Sequence, residues 1–139
     1  MAQLTFFRII TLVALTIFSH SLPAEADTET DAREIFAPWA PKSIEITNGG
    51  VLRITLNERR ITDTVYYAVV QGGFCLGPLL NMEMPEVKSV FVLNSRQTQG
   101  WLFETGADAC NQINNAPANS VKILIAGQSS AHTDTANGL

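Results

Sequence analysis

The sequence predicts a small α+β domain of two layers, in the order ββαββαβ, with a mixed sheet that carries two helices on one face. Short segments of alternating apolar residues predict strands, and two segments rich in small residues predict helices. Each helical segment contains one of the chain's two cysteines, Cys75 and Cys110. The predicted mature chain, residues 27–139, is long enough for one hydrophobic core but not for two.

The first 26 residues have the features of a secretory signal peptide. Arg8 precedes the apolar run Ile9–Phe18, and Ala24-Glu25-Ala26 matches an A-x-A cleavage site. A retained membrane anchor is the alternative, but the run is shorter than the roughly 20 residues that span a bilayer. We therefore predict a signal peptide over residues 1–26, export to the periplasm or the medium, and no stable membrane span after cleavage.

Residues 27–43 precede the predicted domain, which spans residues 44–127. This stretch is acidic at first and then rich in proline, so we expect a flexible leader followed by an extended segment. Trp39 lies between two prolines there. It either packs on its own domain or is exposed as an aromatic residue that binds a partner.

A β-hairpin is predicted at the start of the domain. Apolar residues alternate with polar ones in Ile44–Thr47 and again in Leu52–Leu56. Asn48-Gly49-Gly50 lies between the two runs and can adopt the positive φ values that tight hairpin turns require.

The longest apolar segment after the signal peptide is Ile61–Pro78. Its apolar residues recur at intervals of three and four, which favours a helix over the strand that its β-branched and aromatic residues also allow. Thr62 or Asp63 can cap the start of this helix, and Gly72-Gly73 can end it.

The second half of the chain predicts an inner strand, a partly exposed strand, a short helix and a last strand. These elements are placed at Lys88–Asn94, Gly100–Thr105, Ala107–Asn115 and Val121–Ala126. Residues 128–139 have little to bury and are predicted to be a disordered tail.

An even number of cysteines in a small exported chain favours a disulfide, and the only pairing available is Cys75 with Cys110. The chain-entropy model gives about 4 kcal/mol for closing a loop of this length. A catalytic or signalling thiol is the alternative. It is disfavoured because the chain has no C-x-x-C motif.

Other chemistry has little support in the sequence. A net charge of −4 argues against a nucleic-acid partner. Of the two histidines, His20 lies in the signal peptide and His132 in the predicted tail, which argues against a histidine-dependent hydrolase. Met82 and Met84 are weak candidates for a copper(I) site, with packing of the loop onto the core as the alternative.

The carboxylates considered for acid–base chemistry are Glu58, Asp63, Glu104 and Asp108, and the spacing brings no two of them together. The sequence therefore favours a non-enzymatic binding or accessory protein of the cell envelope, with a protein partner, no cofactor and no catalytic residue. The alternatives are a small enzyme that uses carboxylates or a cysteine thiol near the Gly72–Gly77 turn, and a methionine-based copper-handling protein.

The weak candidates for binding residues are Trp39, Tyr66 and Trp101, because aromatic side chains often anchor interfaces. Tyr66 belongs to the predicted central helix, where its spacing also fits a core position. The binding hypothesis predicts an exposed apolar patch or a free sheet edge that a partner covers.

Overall fold

The computed structural model describes residues 24–82, 84–104 and 106–134, and it confirms the predicted α+β fold class. A five-stranded mixed sheet packs against helices. The α-helices are α1 (Ala24–Phe36), α2 (Asp63–Gly72), α3 (Ala107–Asn115) and α4 (Ala118–Gly127). The strands are β1 (Ser43–Ile46), β2 (Val51–Thr55), β3 (Ser89–Leu93), β4 (Gln99–Phe103) and β5 (Ser129–Thr133). Two 3₁₀ helices span Ala37–Trp39 and Phe74–Leu80.

The strands lie in the sheet in the same order as in the chain, from β1 to β5. The β2–β3 pair is parallel, and the other three pairs are antiparallel. The parallel pair requires a crossover, which passes through α2 and the 3₁₀ helix Phe74–Leu80. As predicted, β3 is an inner strand at the centre of the sheet.

One face of the sheet, the covered face, carries the hydrophobic core. Because side chains alternate along each strand, the register brings Ile54, Val92 and their neighbours to this face. The buried residues that the helices contribute to the same core are Ile35 and Phe36 of α1, Val69 and Val70 of α2, Ile113 of α3, and Val121 and Ile125 of α4.

The opposite side of the sheet, the open face, carries no helix among the described residues. The strand register aligns one residue from each of the five strands in a row across the middle of this face. The row consists of Glu45, Arg53, Phe91, Leu102 and Ser130. The β3–β4 turn covers one end of this face, where Gln97 Nε2 donates a hydrogen bond to Thr55 Oγ1.

The predicted hairpin and central helix are both present. The hairpin turn contains Gly50 with a φ of 76°, a left-handed conformation that favours glycine. At the start of α2, Thr62 Oγ1 accepts a hydrogen bond from the backbone N–H of Val65, as expected of an N-cap. The helix ends at Gly72, and the N–H of Gly73 donates to the carbonyl of Val69.

The prediction of a last strand at Val121–Ala126 is wrong, because these residues lie in helix α4. In a strand, Val121, Ile123 and Ile125 would share one face. In the helix, Val121 and Ile125 are one turn apart and buried, whereas Ile123 is 72% exposed. Both periods fit this short apolar run, and contacts with the core select the helix.

The prediction of a disordered tail is wrong for residues 129–133, which form the edge strand β5. The segment SSAHT has no large apolar side chain, so its sequence lacks a strand pattern. The backbone of β4 supplies the hydrogen-bond partners instead, in register from Gln99↔Thr133 to Phe103↔Ser129. The main-chain hydrogen bonds of this pairing do not require apolar side chains.

The prediction of a flexible leader is wrong for the segment up to Phe36, which belongs to helix α1. Ala32, Ile35 and Phe36 are buried on one side of this helix. Their spacing of three and four is that of a helix face that packs on a core. Residues 1–23, most of the predicted signal peptide, lie outside the described residues.

Candidate functional site

The predicted disulfide joins the 3₁₀ helix Phe74–Leu80 to α3. The sulfur atoms of Cys75 and Cys110 are 2.05 Å apart and their Cα atoms 4.8 Å apart. Both residues are buried, and the Asn114 side chain donates a 2.7 Å hydrogen bond to the carbonyl oxygen of Cys75. No cysteine of the described chain is free, so neither sulfur is available as a thiol nucleophile.

An exposed apolar patch lies directly beside this disulfide. We call it the leucine patch, and it consists of Leu76, Leu79 and Leu80, which are 37%, 64% and 49% exposed. They are three of the four large hydrophobic side chains that are exposed in the described part of the chain. The fourth is Ile123 on α4. Exposed leucines are therefore concentrated within five consecutive residues.

The same 3₁₀ helix turns its other side into the core. Phe74, Cys75 and Gly77 are buried. A side chain at Gly77 would lie 2.7 Å from the backbone oxygen of Met82, which is too close for a real Cβ. The segment is thus seated on the domain by its buried side and by the disulfide, and the leucines point away from that anchorage.

The two methionines considered for copper pack in the loop after the leucine patch. Met84 is 4% exposed and belongs to the core, and Met82 is partly buried against it. Within the described ranges, no group of three or more His, Cys, Asp or Glu residues has the geometry to hold a metal ion. The contacts of Met82 and Met84 are those of residues that fill space between a loop and the core.

Trp39 lies at the end of the 3₁₀ helix Ala37–Trp39. Its ring is partly buried, with its centroid 6.1 Å from that of Phe36, and it faces Gly72 of α2. The side chain therefore contacts its own domain.

Tyr66 and Trp101 form a stacked pair between α2 and the covered face of the sheet. Their ring centroids are 5.6 Å apart, with an angle of 23° between the planes. Tyr66 is 1% exposed, and its hydroxyl is 2.6 Å from Ser129 Oγ. Burial raises the pKa of Tyr66 to about 12. This residue is a core residue and is not accessible to a partner.

Trp101 is partly buried at the edge of the stacked pair. Its Nε1 is inaccessible to solvent and has no hydrogen-bond partner among the described residues. The indole also lines a shallow cleft of about 370 Å³ at the start of α2, together with Arg60 and Gln99.

The four carboxylates are divided among different places. Glu104 and Asp108 both line an open cleft of about 590 Å³, together with Lys88. Asp63 lies in the separate cleft at the start of α2, and Glu58 is an exposed residue of the β2–α2 turn that lines neither cleft. The fold therefore brings together one pair that the sequence spacing did not connect.

The open face contains a polar and aromatic cluster that sequence reasoning missed. The Arg53 guanidinium lies 5.6 Å from the centroid of the Phe91 ring, and the His132 ring centroid is 5.3 Å from it in an edge-on arrangement. His132 pairs in register with Gly100, which has no side chain to separate His132 from Phe91. No local signal in the sequence identifies His132, because its position depends on the pairing of β5 with β4.

No helix in the described part of the chain is both long and apolar enough to cross a membrane. Comparison with known protein families, with curated proteins and with solved structures found no match.

Proposed function

We propose that this chain is an exported, non-enzymatic binding or accessory protein of the cell envelope, and that the leucine patch is the surface that meets its protein partner. The observation that carries the proposal is the concentration of exposed leucines at positions 76, 79 and 80, beside the disulfide. The largest contiguous apolar patch on a soluble domain is often a site that another molecule covers. The disulfide supports an oxidising compartment, which is where such bonds persist.

The anchorage of the patch means that this chain can bind a partner without rearranging its own backbone. A segment that is already ordered loses little conformational freedom on binding, so more of the burial energy appears as affinity. Cys75 and Gly77 hold the 3₁₀ helix from below, while Leu76, Leu79 and Leu80 remain outside. The patch is therefore a ready-made apolar ridge.

The surroundings of the patch favour a protein partner. Helix α3 packs against the 3₁₀ helix and presents exposed amide side chains, among them Asn111, Asn114 and Asn115. An apolar centre with uncharged polar residues at its border is typical of protein–protein interfaces. We expect the partner to offer an apolar groove with hydrogen-bonding groups at its rim.

The size of the patch sets the expected effect of removing it. Leu79 and Leu80 together expose a little more than the area of one leucine side chain. Burying that area contributes about 2 kcal/mol, which corresponds to a roughly thirtyfold change in affinity. The double substitution Leu79→Ser with Leu80→Ser should weaken binding by that factor and leave the fold intact, because both side chains are exposed.

Site-specific photo-crosslinking in the native host tests the proposal. A photo-crosslinking amino acid is placed at position 79, and, as a matched control, at position 123, where Ile123 is 72% exposed on α4. We expect a discrete adduct with one envelope protein from position 79 alone, and loss of the isolated complex in the Leu79→Ser, Leu80→Ser variant. Adducts from position 123 alone, or an equal yield from both positions, would contradict the proposal.

Export is tested separately by the intact mass of the protein made with its own leader. We expect the mass of residues 27–139 less two hydrogens, with no reaction toward a thiol-alkylating agent before reduction. A full-length mass with two alkylated cysteines would contradict both export and the disulfide.

One observation favours a second candidate function, a small enzyme that uses carboxylates. Glu104 and Asp108 line the same cleft of about 590 Å³, and two acids in one cleft are a common arrangement for acid–base chemistry. Any hydrolase activity found in a substrate screen should be lost in Glu104→Gln and in Asp108→Asn but retained in Asp63→Asn. Activity that survives both substitutions, or no activity in the screen, would count against this candidate.

A further inference from the structure

The two edges of the sheet differ in how they are protected. At one edge, β1 contains Glu45 and follows Pro41 and Lys42. Charged residues and proline are among the devices by which proteins prevent another strand from adding to an edge. At the other edge, residues 129–133 of β5 have the sequence SSAHT, with no proline, lysine or acidic residue.

The hydrogen bonds identify which backbone groups of β5 are free to pair. The N–H of Glu104 donates to Gln128, and the N–H of Asp134 donates to Thr98. Hydrogen-bonded pairs alternate along an antiparallel ladder, so Ser130 and His132 also direct their N–H and C=O groups toward β4.

The residues between them, Ala131 and Thr133, direct their N–H and C=O groups away from the sheet. No strand in the described part of the chain pairs with them. Both residues are exposed and have small side chains, which allows another strand to approach closely.

We propose that β5 pairs with β5 of a second copy of this chain, antiparallel and centred on Ala131, to form a dimer with one continuous ten-stranded sheet. Symmetry about Ala131 places Ser129 opposite Thr133 of the partner and Ser130 opposite His132 of the partner. No like charges meet along the pair, and a serine hydroxyl faces an imidazole.

The same comparison of edges favours a closed dimer over an open chain of copies. Head-to-tail addition would require β5 to pair with β1 of the next copy, but β1 contains the charged residue Glu45 and is preceded by Pro41. The β5–β5 pair is isologous and uses up the free edge of both copies. The dimer would also join the two open faces, with the two Phe91 rings about 24 Å apart across five strand spacings.

Analytical ultracentrifugation of the exported protein over a range of concentrations tests this inference. We expect twice the chain mass for the wild type and the single chain mass for Ala131→Pro. Proline at position 131 removes an N–H that makes no bond to β4, so it blocks the added strand and leaves the β4–β5 ladder intact. The matched control is Ala118→Pro at the first residue of α4. This position tolerates proline, and the preceding residue, Pro117, already has an extended ψ of 143°.

A wild type that is monomeric at the highest concentration reached, or a dimer that persists in a folded Ala131→Pro variant, would overturn the inference. If Ala131→Pro does not fold, amide hydrogen exchange of the wild type decides. We expect slow exchange at the N–H groups of Ala131 and Thr133 in the dimer, and fast exchange there in a dimeric protein would equally overturn it. The Leu79→Ser, Leu80→Ser variant should remain dimeric, which keeps this test separate from that of the leucine patch.

Discussion

The covered and open faces of the sheet place the same type of residue in different environments, as Phe103 and Phe91 show. They lie on the adjacent strands β4 and β3, but Phe103 points into the core and is 0% exposed, whereas Phe91 is partly exposed on the open face. Phe103 meets the Phe74 ring edge-on at 6.2 Å, and Phe91 meets Arg53 and His132. One face therefore supplies stability, and the other leaves polar and aromatic groups accessible.

The largest effect is expected from the disulfide, which joins elements on the covered side. The variant Cys75→Ala with Cys110→Ala should lower the free energy of unfolding by about 4 kcal/mol, because the denatured chain regains the entropy of an open 35-residue loop. Urea denaturation measures this loss, and chemical reduction of the wild type should reproduce it. A loss much smaller than this would mean that the stability of the covered side comes from its packing alone.

The next effect compares the two phenylalanines directly. Phe103→Ala should cost about 3 kcal/mol, because it leaves a cavity in the packed core. Phe91→Ala should cost about 1 kcal/mol, because the ring is already partly exposed in the folded protein. Urea denaturation of both variants tests the difference, and equal losses would show that the open face is covered in solution.

The smallest effect concerns Tyr66, which ties α2 to β5 through Ser129. Tyr66→Phe removes one buried hydrogen bond and should cost about 1 kcal/mol at neutral pH. In the unfolded chain tyrosine ionises near pH 10, whereas burial raises the pKa of Tyr66 to about 12. The unfolded state therefore loses its proton first, and the contribution of Tyr66 to stability falls as the pH rises from 10 to 12.

Stability curves of the wild type and Tyr66→Phe between pH 9 and 12 check this prediction. The advantage of the wild type should shrink to zero within that range and then reverse, because two pKa units outweigh the hydrogen bond of about 1 kcal/mol. Lysine titration cancels because it is common to both proteins. A difference that stays constant with pH would mean that the Tyr66 hydroxyl is accessible to solvent.

The elements that sequence reasoning placed correctly are those with strong local signals. The β1–β2 hairpin has alternating apolar residues and a glycine turn, α2 has a capping threonine and a terminal glycine, and α3 runs over Ala107–Asn115 as predicted. The pairing of Cys75 with Cys110 followed from the cysteine count. The hairpin and the two helices were therefore predictable because the residues that start, turn or end each element lie within that element or next to it.

The leucine patch was visible in the sequence only as part of an apolar segment. Leu76 lies within the segment Ile61–Pro78, and Leu79 and Leu80 follow it directly. The helix ends at Gly72, and the chain continues as a 3₁₀ helix with about three residues per turn. The change of period places Leu76 on the surface, beside Leu79 and Leu80.

Local sequence patterns were enough to predict the fold class, the hairpin, two helices and the disulfide. Turn residues and helix caps act over short distances, and with two cysteines only one pairing is possible. Tertiary structure decided the rest. Val121–Ala126 fits a strand and a helix equally until the core selects one period, and Ser129–Thr133 becomes a strand only because β4 offers its backbone. The free edge of β5 and the Arg53–Phe91–His132 cluster exist only after that long-range pairing, which no local pattern encodes.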